Sequence, residues 1–168
     1  HLFTKVLKDY PDILPNLESL VQNAEKCGVD KYKIIELRKN LLVAYFSNNL
    51  LDYKNTKTQL DWFVDRKDDI IKDKLTNKQR KIIAIFFFEL GAYKGFIEDQ
   101  PDASLQAFED ALSTIQGVDA PVIKFDIYEQ YAEMLVCTGR VEEAYKKIEL
   151  AHNILLNVPQ INLNKESL

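Results

Sequence analysis

Seven consecutive apolar residues, Ile82 to Phe88 in the stretch "KIIAIFFFELGAYKGF", constrain the fold of this chain more than any other feature. A membrane-spanning helix needs about twenty such residues, so the run is too short to cross a bilayer. Ile and Phe also favour strands. Two features select a helix instead. Thr76 and Gln79 have the spacing of a capping box just before the run. Apolar positions then continue past it at Leu90, Ala92, Tyr93, Phe96 and Ile97, farther than an ordinary strand extends. A helix that is apolar on nearly every side must be covered on nearly every side. Gly91 and Gly95 within it each cost roughly 1 kcal/mol relative to Ala, which predicts close approach by a neighbouring helix.

The same punctuation divides the rest of the chain into helices. Leu2 to Asp9 reads as a short helix ending before Pro11. Pro15 suits a first helical turn, and Leu17, Leu20, Val21 and Ala24 keep helical spacing up to Gly28. Asp30 is placed to cap the next helix, and a joint near 51–53 precedes one with Leu60, Phe63, Val64, Ile70 and Ile71 inward. The apolar helix runs to about Glu98. Asp102 is placed to cap "ASLQAFEDALSTI", and Asp119 to cap the helix that ends at Cys137. Gly139 marks a tight turn before a last helix from about Val141 to Asn157. Eight helices in four hairpins, each apolar on two faces, are expected to stack as an all-α repeat array.

The last hairpin resembles a tetratricopeptide repeat. Tyr128, Tyr131, Ala132 and Leu135 match the first helix of that motif, Gly139 the turn, and Ala144, Ile148 and Ala151 the second helix. Ile148 stands where the family has an aromatic residue, and Pro159 falls a few residues late. In the preceding hairpin Phe87, Leu90 and Gly91, then Ser104, Phe108 and Ala111, match with one residue inserted. The hairpin before that keeps Ala44 and the spacing Thr56, Leu60, Phe63. Ala92 and Ala132 are 40 residues apart and Ala44 and Ala92 are 48 apart, against about 34 in the family. The resemblance implies an α-α superhelix of about four stacked hairpins, a TPR-like solenoid. It would form a single domain over 1–157, with degenerate hairpins at 1–28 and 30–75 and clearer repeats at 76–116 and 119–157. Residues 158–168 would form a polar tail.

Composition narrows the chemistry. The chain of 168 residues has 22 Lys and Arg against 26 Asp and Glu, a net charge of −4 and a pI of about 5.3. It lacks the clustered bases that neutralise phosphates, so no nucleic-acid partner is expected through this stretch. Cys27 and Cys137 form no CxxC pair and read as reduced, packed thiols of a cytoplasmic protein. No signal peptide is visible, and the opening "HLFTKVL", without a Met, reads as that of an internal or trimmed fragment. Glu149 and His152 form one E-x-x-H, but a di-iron bundle needs a second. Gly-rich phosphate loops and a G-x-S-x-G elbow are both missing. No cofactor, metal or catalytic residue is expected, and the chain is not read as an enzyme.

A binding surface remains. In the tetratricopeptide family the first helices of successive hairpins line a concave groove that holds a peptide or partner helix. Carried onto this chain, that groove presents Tyr45, Asn48 and Asn49 at one end, Glu89, Tyr93 and Phe96 in the middle, and Glu129 and Glu133 at the other. The expected function is protein or peptide binding, with a partner that offers apolar anchors and some positive charge. The alternative resembles bacterial peptide-pheromone receptors: a peptide-sensing regulatory domain whose DNA-binding head lies outside these residues. Leu2, Phe3, Val6 and Leu7 at the first hairpin are also compatible with a homodimer.

Overall fold

A computed structural model describes residues 13–47 and 52–157. Among the described residues the chain is all-helical, with eight α-helices and no strand. In chain order these are α1 (Ile13–Lys26), α2 (Lys31–Ser47), α3 (Tyr53–Val64), α4 (Lys67–Ile71), α5 (Asn77–Ala92), α6 (Pro101–Thr114), α7 (Pro121–Cys137) and α8 (Val141–Asn157). None is long and apolar enough to cross a membrane. The chain divides between residues 82 and 83 into two compact units. The predicted helix over Leu2–Asp9 lies outside the described residues, as does the apolar cluster at its start.

In the first unit, α1 ends on Gly28, whose φ of 65° suits a residue without a Cβ. Its N–H donates to the Glu25 carbonyl and that of Val29 to the Ala24 carbonyl, which closes the helix and turns the chain into α2. Asp30 caps α2 as expected, its Oδ1 accepting from the N–H groups of Tyr32 (3.1 Å) and Lys33 (3.3 Å). The two helices pack through Val21, Leu41 and Tyr45, with Leu14, Leu17 and Leu37 around them. Arg38 then joins three helices. Its guanidinium forks onto Glu25 of α1 (2.9–3.0 Å), donates to Gln59 of α3 (2.7 Å) and lies 4.5 Å from the centre of the Trp62 ring.

The single helix expected over Leu60 to Ile71 is two helices. The chain breaks at Asp65 and Arg66, where the N–H of Arg66 bonds back to the Phe63 carbonyl at 3.0 Å. Leu60, Phe63 and Ile70 are buried as expected, but Val64 and Ile71 are exposed. The break resets the helical phase, so a face counted across it does not continue.

The apolar run is helical. Thr76 and Gln79 form the reciprocal capping box at the start of α5: Thr76 Oγ1 accepts from the Gln79 N–H (3.3 Å) and Gln79 Oε1 from the Thr76 N–H (2.8 Å). Ile82, Ile83, Ala84, Phe86 and Phe87 are all buried. Beyond Ala92 the helix widens into a π turn over Tyr93–Ile97, closed by Glu98 N–H to the Tyr93 carbonyl at 3.1 Å. Both glycines of this segment are closely approached, by side chains. A Cβ on Gly91 would stand 2.6 Å from the Phe108 ring, and one on Gly95 would collide with Ser104 and the methyl end of Met134.

Two predicted caps are displaced. Pro101 and Pro121 occupy the first turns of α6 and α7, behind Gln100 and Ala120, neither of which makes a side-chain cap. Asp102 lies inside the first turn, and Asp119 lies one residue before the cap position. A proline has the helical φ already and no N–H to leave unsatisfied, so it takes the first position itself. Helices α7 and α8 form the most extensive helix–helix contact among the described residues. Their joint is the one Gly139 announces: at φ 76°, its N–H reaches the Val136 carbonyl (2.9 Å) while that of Arg140 reaches Leu135 (2.8 Å). Tyr131 Oη ties α7 to Glu109 Oε1 of α6 at 2.6 Å.

Candidate interaction surface

The residues expected to line one groove do not share an accessible face. Tyr45 is 3% exposed, packed between α1 and α2, with its hydroxyl donating to Glu18. Burial and that carboxylate both push its phenol pKa up. Asn48 and Asn49 lie outside the described residues. Tyr93 is buried at the start of the π turn, whereas Phe96 is 42% exposed. The π turn adds a residue to the helical repeat, so a face counted through Glu89, Tyr93 and Phe96 at α-helical spacing turns aside there.

Glu89 is 8% exposed on α5, and among the described residues none is found to hydrogen-bond its carboxyl. Burial first, and the negative charge of Asp126 on α7 second, push its pKa up to about 8. It is mostly protonated at neutral pH and adds no charge to an acidic surface. Asp126 is itself pushed up by partial burial and by Glu129. An acidic residue inside an apolar run ordinarily signals the solvent side. Here most of the run is buried, with Ile85 and Phe88 half-buried, and the Glu89 carboxyl is covered with it.

Glu129 and Glu133 are exposed, as expected. They lie along a groove of about 430 Å³ between α7 and α8, floored by Ala132 and Ala151 and walled by Phe125, Val136, Ile148, His152 and Leu155. The groove is part of a larger apolar face that sequence reasoning missed. Along α8, Val141, Tyr145, Ile148 and Leu155 are each more than half exposed, and His152 is exposed among them. Their spacing of four, three, four and three places them in one stripe along the helix. The contact with α7 is carried by Ala144 and Ala151, both buried. Small residues hold the hairpin together and leave the large ones outside. The signal was available: two alanines seven apart beside a 4-3-4-3 row of four large apolar residues and His152 mark two distinct faces.

The edges of this stripe are acidic. Glu129 and Glu133 flank it on the α7 side. Glu142 and Glu149, also exposed, fall about 80–100° around α8 from Val141, away from the buried alanines. None of these four carboxylates has an ion-pair partner among the described residues. Glu143, by contrast, is forked onto by Arg140 at 2.7 Å.

Other recesses are less suggestive. In the first unit a recess of about 640 Å³ surrounds Trp62, but two of its cations are already paired, Arg38 with Glu25 and Lys31 with Asp69 and with Asp73 beside the recess. One of about 570 Å³ in the second unit holds Lys124, whose ammonium donates to the Val118 carbonyl at 2.8 Å. Among the described residues no three His, Cys, Asp or Glu side chains converge to hold a metal. Cys27 and Cys137 are free thiols and both exposed, not packed as expected. Each stands at the C-terminal end of a helix, where the chain turns outward.

Comparison with known protein families, with curated proteins and with solved structures returned no match.

Proposed function

We propose that the chain is a protein- or peptide-binding module built from helical hairpins, related in plan to the tetratricopeptide solenoids, and that it acts in the cytoplasm by binding and not by catalysis. The observation that carries this reading is the exposed stripe of α8. Contiguous apolar surface of this kind on a folded domain ordinarily marks a contact site. The hairpin beneath it supports the family analogy. Leu135, Ala132, Ala144 and Ala151 are buried at the positions where the motif needs large or small packing residues, and Gly139 makes the turn. Ile148, at the motif's aromatic position, is open to a partner.

The partner site in this reading is the face of the last hairpin, with Glu129 and Glu133 at its edge. A photoreactive residue installed at position 148 tests it in cells of the source. The expected result is a defined crosslinked partner that is absent when the same group replaces exposed Lys54 in the first unit. Identical adducts from both positions, or none from 148, would contradict the reading.

A further inference from the structure

We propose that the partner is a cationic amphipathic helix of about fifteen residues, laid along α8 with its apolar side on the Val141–Leu155 stripe and its lysines or arginines against Glu129, Glu133 and Glu149. This inference rests on the interaction-module reading above and adds the chemistry and conformation of what is bound.

Three observations lead to it. The first is spacing. Exposed side chains at 141, 145, 148, 152 and 155 repeat with the alternation that meshes with another helix and not with an extended chain. From Val141 to Leu155 the stripe rises about 21 Å, four turns, which a helix of about fifteen residues matches. The second is shape. The groove beside the stripe is floored by Ala132 and Ala151, whose small side chains leave room for large anchors from a facing helix.

The third observation is charge. Glu129 and Glu133 are one turn apart on one rim, and Glu149 stands on the other, none of them with an ion-pair partner among the described residues. A helix carrying basic residues on both flanks of its apolar seam would meet them. A second copy of the chain docked through the same face would instead bring these carboxylates towards one another. The stretch 158–168 has one lysine, Lys165, to set against them.

The test uses synthetic fifteen-residue peptides, labelled for fluorescence anisotropy, against the full 168-residue chain. One peptide has leucines in a 4-3-4-3 row flanked by lysines. A second has glutamates in place of the lysines, and a third keeps the lysines but has a central proline. The basic helix is expected to bind, and to weaken severalfold between about 50 mM and about 300 mM salt. Glu129→Lys/Glu133→Lys should weaken it at least about tenfold. Asp65→Lys/Asp68→Lys, the same charge change in the first unit, should leave it unaltered.

Equal binding of the acidic peptide, or indifference to Glu129→Lys/Glu133→Lys, would overturn the charge assignment. Equal binding of the proline peptide, lost in Ile148→Asp, would overturn the helix while leaving the interaction module standing. Binding that needs Ile161→Ser/Leu163→Ser would make the chain's own C-terminal stretch the occupant. Self-association abolished by Ile148→Asp would make it a second copy. Failure of every peptide with none of these effects would also overturn the inference, and the crosslink from position 148 would then decide separately whether the module reading stands.

Discussion

Phe108 lies where a side chain on Gly91 would have to go. A Cβ there would stand 2.6 Å from the ring, and the ring is fully buried against Phe88 (6.2 Å between centres) and Tyr131 (5.8 Å). With neighbours on several sides it has little room to retreat. Overpacking of this kind costs about 1–3 kcal/mol, against about 1 kcal/mol recovered from placing Ala in a helix. Gly91→Ala should therefore lower stability by up to about 2 kcal/mol, and Gly91→Leu by more. Thermal unfolding checks both, and an unchanged Tm for Gly91→Leu would contradict the close approach.

Glu89 sets a pH dependence. Its folded-state pKa is raised from 4.5 to about 8, so the folded chain holds this proton more tightly than the unfolded chain. Stability is highest below about 4.5 as far as this group is concerned, and is lost as pH rises towards about 8. Asp126, also pushed up, acts with the same sign. Urea unfolding at pH 5.5 and pH 8.5 should show the wild-type chain losing more stability between the two than Glu89→Gln. Equal losses would mean that Glu89 is not buried as described.

Arg38 offers a measure of how the first three helices are joined. Lysine can keep its charge but not the fork onto Glu25, nor the flat stacking on Trp62. Arg38→Lys should destabilise the first unit by about 1–2 kcal/mol, and Arg38→Ala by about 2–3 kcal/mol. Trp62 is the single tryptophan, so its fluorescence follows this unit directly. Loss of less than about 0.5 kcal/mol in both variants would show the contacts to be no stronger than an exposed ion pair.

Local signals in the sequence were legible wherever one residue had one job. Asp30 caps α2, Thr76 and Gln79 cap α5 reciprocally, and Gly139 turns α7 into α8, each through hydrogen bonds its chemistry requires. Asp102 and Asp119 were misplaced because a neighbouring proline competes for the start of the same helix, and its constrained φ prevails. The all-helical architecture follows from those signals. The larger part of the candidate site does not.

Tyr45 and Glu89 carry polar groups that suit either a surface or a covered position. Which one holds is decided by Glu18 across the hairpin for Tyr45, and by the burial of the residues around it for Glu89. Neither is written in the local pattern. On α8 the usual assumption that large apolar residues face inward points the wrong way, because Ala144 and Ala151 make the contact with α7. Ile148 is thereby left outside, half exposed, in the middle of the proposed contact face.

The most direct test of that face is paired affinity capture from source-cell lysate, with the wild-type chain and Ile148→Asp/Leu155→Asp as baits. Each captured protein is then purified and its binding remeasured. Both substituted positions are already exposed, so the fold should survive, and matched circular dichroism and Tm would establish that. The account predicts a partner that binds the wild-type chain directly and binds the double variant at least about tenfold more weakly. A partner that binds both equally would contradict it, because the stripe on α8 would then be surface without a binding role.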